Sequence, residues 1–184
     1  YLYPGHHAGY YPNARPIEMK LLFSPTDGKI LGAQAVGEEG ADKRIDVIAA
    51  LIQKSGTVYD LEEAELCYAP QFGAAKDPVN MAGMLAANSL RKDAPLAHWD
   101  QIDLKNAFLL DVRSAEEYAV EHVENALHIS LDHLRMKMAE LPRDKEIFVY
   151  CGVGQRGYYA TRALRCRGFN AFNLSWVVCQ QPYG

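Results

Sequence analysis

What this 184-residue sequence lacks narrows its reading quickly. No apolar run approaches the ~20 residues a membrane-crossing helix needs, and no basic segment followed by an apolar one opens the chain as a secretory signal would. Basic excess is missing too. Nineteen Lys and Arg against 23 Asp and Glu leave a net charge of −4, the wrong sign for the basic face of a nucleic-acid binder. The four cysteines, Cys67, Cys151, Cys166 and Cys179, form no C-x-x-C pair and no zinc-ligand spacing. Single thiols in a reducing, cytoplasmic compartment are the natural reading, with neither membrane nor nucleic acid as partner. No methionine opens the chain, and "YLYPGHHAGYY" reads as the middle of a longer protein, so a fragment is expected.

What is present has the texture of a globular protein: 49% hydrophobic and 23% charged residues. From Pro16, two runs rich in β-formers flank Ser24-Pro25-Thr26-Asp27-Gly28, which predicts an antiparallel hairpin. Ile45, Ile48, Ala49, Leu51 and Ile52 then recur at helical spacing, with Gly56 beyond the end. A second helix is expected from Asp77 to about Lys92, with Asp77 as its cap, Pro78 in the first position, and Met81 and Met84 filling core. The polar stretch around Pro95 marks a boundary. The domains expected are 1–92, a linker at 93–97, and 98–184. After the boundary, "AFLL", "ALHIS" and "EIFVY" read as short buried strands alternating with helices. Ser114 and Glu117 make a capping box for the first of those helices. The fold class expected is α/β overall: an α+β domain with an antiparallel sheet and helices, then an α/β domain with a parallel sheet flanked by helices.

One loop concentrates the chemistry. In "EIFVYCGVGQRGYYATRALRCRGF", Gly152, Gly154 and Gly157 spell G-x-G-x-x-G between a strand and a helix. A dinucleotide site also needs an acidic residue about twenty positions on for the ribose. From Ile147 onward the chain has no Asp or Glu, only Arg156, Arg162, Arg165 and Arg167 among its ionisable partners for such a role. That reading fails, and Cys151 takes the centre. Glycines curl the loop so that successive N–H groups face inward, the following helix adds its positive N-terminus, and Arg156 adds a charge. All three favour a thiolate, so the Cys151 thiol is expected below its ordinary pKa of ~8.5. The arginines, without acidic neighbours in sequence, are expected to attract an anionic donor. Phosphatase loops of this kind run C-x5-R. Here Cys151 and Arg156 make C-x4-R, a ring too tight for phosphate but suited to one extra sulfur atom.

These residues carry a family resemblance. "LLDVRSAEEYAVEHVENALHISLDHL" and "VYCGVGQRGYYA" resemble the rhodanese domain. The resemblance implies Cys151 as sulfur-accepting nucleophile and Arg156 as its charge partner. It also implies Gly152, Val153, Gly154, Gln155 and Gly157 as the active loop, with Asp111 and Arg113 supporting it. The chain departs from the family at Glu121–Ala126, usually G-H-I-P-G-A, and at Trp176 and Val177, where two glycines are usual. "HAGYYP", "LLF…GKILGAQAVG" and "YAPQFGAAKDPVNMAG" resemble the dimerisation domain of flavin-dependent pyridine nucleotide-disulfide reductases, in the branch of coenzyme A-disulfide reductases and NADH-dependent persulfide reductases. Gln71 replaces a common proline there. This resemblance implies a homodimer in which Tyr10 and Tyr68 reach toward the partner subunit's flavin and redox cysteine, although ordinary interface packing also suits two tyrosines. Cys67 lies in the wrong motif to be that redox cysteine and is expected to be a packed thiol. FAD, NAD(P)H and coenzyme A are implied for the full-length enzyme and none for this stretch alone. A low-molecular-weight persulfide, or a coenzyme A persulfide or disulfide, is the implied substrate. The alternatives are a stand-alone sulfurtransferase with a dimerisation module, and a non-catalytic rhodanese-type binding module.

Overall fold

The computed structural model describes residues 1–103 and 106–175, which separate into two compact units, Tyr1–Arg91 and Lys92 onward. Trp176, Val177 and Cys179 lie outside the described residues.

In the first unit, β1 (Ile17–Phe23) and β2 (Ile30–Gly37) form an antiparallel pair in which Ile17 faces Gly37 and Phe23 faces Ile30. The turn closes as its composition predicts. Gly28 N–H donates to Ser24 O, Lys29 N–H to Asp27 Oδ1, and Gly28 takes φ +73°, a left-handed value that a side chain would strain. Period-two alternation puts Ile17, Met19 and Ile30 on the inner face. They pack against Ile48 of α1 (Ala41–Gln53), Leu61 of α2 (Val58–Glu62), and Val79 and Ala82 of α3 (Pro78–Leu90), and Met81 joins the same cluster. The short helix α2 is not among the elements expected from sequence, yet its signal is there: Thr57 and Asp60 form a capping box. Gly83 lets α3 lie directly on the α2 backbone, where a Cβ would collide with Glu62.

Asp77 does cap α3, accepting from Val79 N–H at 3.1 Å, and it does more. It pairs with Arg44 of α1 at 2.7 Å, and the Arg44 guanidinium also donates to the carbonyls of His6 and Gly40. A charge buried to 1% exposure is thus satisfied on several sides, which is the condition for tolerating it. The network ties the N-terminal segment to α1 and α3. Cys67, expected to be packed, is exposed.

The second unit is a five-stranded parallel sheet in the order β3 (Leu96–Ala97), β7 (Asn170–Leu174), β6 (Glu146–Tyr150), β4 (Phe108–Asp111), β5 (Leu127–His128). Residues 96–97, assigned from sequence to a linker, pair with β7 as an edge strand. The helices are α4 (Ala115–Val120), α5 (Leu131–Lys137) and α6 (Gln155–Arg165). One apolar layer gathers Leu110, Ile147, Val149, Leu134 and Leu164; a second gathers Leu109, Tyr150 and Leu174. The central strands are therefore buried on both faces, as their continuous apolar runs require. Register sets the site: Asp111 of β4 sits beside Tyr150 of β6, and Val149 of β6 beside Asn173 of β7. The turn after β4, the loop after β6 and the end of β7 consequently meet at the carboxyl edge of the sheet, where open α/β sheets bind ligands.

Candidate active site

Cys151 leaves β6 at that edge. Its sulfur accepts the Gly154 N–H at 3.2 Å and the Gly157 N–H at 3.3 Å. Gly154 is the N-cap of α6 and Gly157 its third residue, and the N-cap residue contributes no side-chain hydrogen bond. The Cys151 sulfur therefore stands where a capping oxygen would, receiving the orphan donors of the first turn and the positive end of the helix dipole. Gly154 at φ +87° makes the reversal possible, because a residue with a Cβ rarely adopts that backbone. The G-x-G-x-x-G run thus turns its N–H groups on a sulfur atom rather than on a pyrophosphate. Cys151 is 3% exposed, whereas Val153 and Gln155 on the same loop face solvent.

Arg156 is held by Glu117. Its two terminal nitrogens reach the two carboxylate oxygens of Glu117 at 2.5 and 2.7 Å, a bidentate pair. Glu117 is fixed in turn by its own capping box, with Ser114 N–H donating to its carboxylate at 3.0 Å. The Arg156 guanidinium holds the Glu117 carboxyl down to about 2. A Cβ on Gly152 would stand 3.5 Å from the Arg156 guanidinium, so the cation lies over the loop. The arginines lack acidic neighbours in sequence, but the fold brings a carboxylate to two of the four. Arg156 is matched by Glu117, Arg162 pairs with Asp93 at 3.0 Å, and Arg165 donates to Ala171 O. Folding supplies the acidic partners that the local sequence lacks.

Asp111 and Arg113 brace the neighbouring turn. The Asp111 carboxylate, fully buried, accepts from the backbone N–H of Arg113 and from its guanidinium, the latter at 2.7 Å. Arg113 also donates to Glu121 O at 2.6 Å and lies 5.7 Å from the centre of the Tyr150 ring. Burial pushes the Tyr150 hydroxyl's pKa up, and that hydroxyl accepts the Val123 N–H. The departing segment 121–126 is thereby tied to the residue that precedes Cys151.

In the first unit the structure brings Tyr10 and Tyr68 together. Their hydroxyls share a hydrogen bond at 2.6 Å although 58 residues separate them, and both rings are exposed. The bond to Tyr10 raises the pKa of Tyr68. Glu117 and Asn173, which contact the Cys151 loop, were not singled out from sequence as site residues. For Glu117 a signal existed, since its capping box was legible.

Residues 3–78 match the family of the pyridine nucleotide-disulphide oxidoreductase dimerisation domain, and residues 95–176 match the rhodanese-like domain. Coenzyme A disulfide reductases of Staphylococcus epidermidis and Staphylococcus aureus are 44% identical over 82 residues, 45% of this chain and 19% of theirs. Among solved structures, reduced Bacillus anthracis CoADR-RHD aligns with 95% of this chain at 42% identity and a TM-score of 0.90. A NAD-dependent persulfide reductase from A. fulgidus aligns over the same share at 36% identity and a TM-score of 0.83. The chain spans 32% of the length of each of these two structures. The chain thus joins a pyridine nucleotide-disulphide oxidoreductase dimerisation domain, over residues 3–78, to a rhodanese-like domain, over residues 95–176.

Proposed function

We propose that this chain is the C-terminal part of a flavin-dependent coenzyme A-disulfide or persulfide reductase, and that its second unit carries sulfane sulfur on Cys151. The observation that supports this reading best is the pair of backbone N–H groups aimed at the Cys151 sulfur. In the reaction proposed, the Cys151 thiolate attacks the outer sulfur of a low-molecular-weight persulfide R–S–SH. An S–S bond forms between Cys151 and that outer sulfur, the persulfide's own S–S bond breaks, and R–S⁻ leaves with its electron pair, giving Cys151–S–SH. The N–H groups and Arg156 stabilise negative charge on the carried sulfur. FAD and NAD(P)H would supply reducing electrons in the longer protein. Tyr10 and Tyr68 are the residues here that would face the partner subunit's redox centre, which makes a homodimer the working form, and its single thiols suit a reducing cytoplasm.

Incubating the chain with glutathione persulfide or coenzyme A persulfide should add one sulfur, about 32 Da, to Cys151. Cyanide should remove it, and Cys151→Ser should never acquire it. The C-x4-R ring leaves too little room for three phosphoryl oxygens, so para-nitrophenyl phosphate should stay intact. Cys151-dependent phosphatase turnover without sulfur loading would overturn the proposal.

A further inference from the structure

We infer that Asn173 is the positioning residue that sets the geometry of the Cys151 loop, by holding both glycines whose N–H groups point at the sulfur. This deepens the sulfur-carrier reading and rests on it for its chemistry, though its geometric content stands apart. Asn173 lies on β7 between two neighbours. Its register partners are Leu96 of β3 and Val149 of β6, and its backbone N–H donates to Pro95 O at 2.9 Å. A side chain rooted there is carried by a strand paired on both sides, the rigid kind of support a preorganised site needs. It is also buried, at 6% exposure.

Its amide spans the loop. Nδ2 donates to Gly154 O at 3.3 Å, while Oδ1 lies against Gly157, so close that a Cβ on that glycine would collide with it. Among the described residues Oδ1 has no hydrogen-bond partner, so a glycine Cα–H occupies the place where a buried acceptor ordinarily finds a donor. Gly154 and Gly157 are also the residues whose N–H groups reach the Cys151 sulfur at 3.2 and 3.3 Å. One side chain therefore fixes the carbonyl of the first donor residue and the approach of the second. With the amide gone, Gly154 loses the contact that pins its left-handed backbone, and Gly157 gains room to drift. The two donors then lose their common focus.

Two kinds of variant in the whole chain test this. Asn173→Leu keeps the volume without adding charge but loses the donor to Gly154 O, and Asn173→Ala removes both contacts. The readouts are the pH dependence of Cys151 alkylation by iodoacetamide and the rate of sulfur loading from glutathione persulfide, on samples matched to wild type by circular dichroism. Both variants should move the alkylation midpoint to higher pH and slow loading about fivefold, the scale of one lost hydrogen bond. Gly157→Ala should lose loading through the collision with Asn173, and Gly157→Ala combined with Asn173→Ala should recover part of it. Folded variants with an unmoved midpoint, or a double variant no better than Gly157→Ala, would overturn the assignment. If wild type itself fails to load sulfur while the midpoint still moves in the variants, the sulfur-carrier reading falls and the positioning role of Asn173 stands.

Discussion

Replacing Glu117 by Gln isolates one interaction, because Gln keeps the size of the side chain and the capping-box geometry with Ser114 while losing the charge that grips Arg156. The folded carboxyl titrates at about 2 against an ordinary 4.5, with Arg156 as the leading cause. At ~1.4 kcal/mol per pH unit that gap would be worth ~3.4 kcal/mol for a group sealed from water. Glu117 is 40% exposed and Arg156 35%, so solvent screening reduces the figure to about 1 kcal/mol. The sign follows from the lowered value. The ion pair's contribution is complete above pH 4.5 and drains away as pH falls from 4.5 toward 2. Urea unfolding followed by tryptophan fluorescence suits the measurement, because both tryptophans, Trp99 and Trp176, belong to the sequence of the second unit. Glu117→Gln should be less stable than wild type by about 1 kcal/mol at pH 7, and the two curves should converge between pH 4.5 and pH 2.5. A difference that stays constant across that range, or none at pH 7, would refute the attribution to the Arg156 pair.

Other outcomes follow from the same geometry. Asp111→Asn should destabilise the second unit by about 3–5 kcal/mol in urea unfolding, since it strips the partner from Arg113 at a fully buried position. With iodoacetamide at neutral pH, Cys151 should react before the exposed Cys67 and Cys166, whereas a bulky maleimide should reverse that order because Cys151 is 3% exposed. Arg156→Ala should slow the small reagent at Cys151 without affecting the other two. By light scattering the chain should form a two-fold dimer through its first unit, and a strictly monomeric state at high concentration would count against that.

Local signals carried far in this chain. The Ser24–Gly28 turn, the cap at Asp77, the Ser114–Glu117 box and the glycines around Cys151 each depend on residues a few positions apart, so propensity and hydrogen-bond chemistry determine them without help from the rest of the fold. What the sequence concealed is long-range. Glu117 meets Arg156 across 39 residues, and Asn173 meets Gly154 across 19. Only the parallel register that sets β4 and β7 on either side of β6 brings those side chains to one edge. The same holds for the charge on the loop. A count of arginines in the last 38 residues suggested an unbalanced positive field, yet α4 and the segment before β3 deliver carboxylates to two of them. β3 is two residues long, too short to show a period, and becomes a strand because the β7 edge offers it partners.

A cysteine that occupies the cap of its own helix couples reactivity to fraying. The sulfur of Cys151 closes the first turn of α6, so whichever chemical form of that sulfur the turn holds better than the open chain does also holds the turn shut, by the same free energy. The amide protons of Gly154 and Gly157 become reporters placed on the reacting atom itself. Their exchange with deuterated water would follow each change of occupant at the sulfur, charged or discharged, without a dye, a label or a turnover assay.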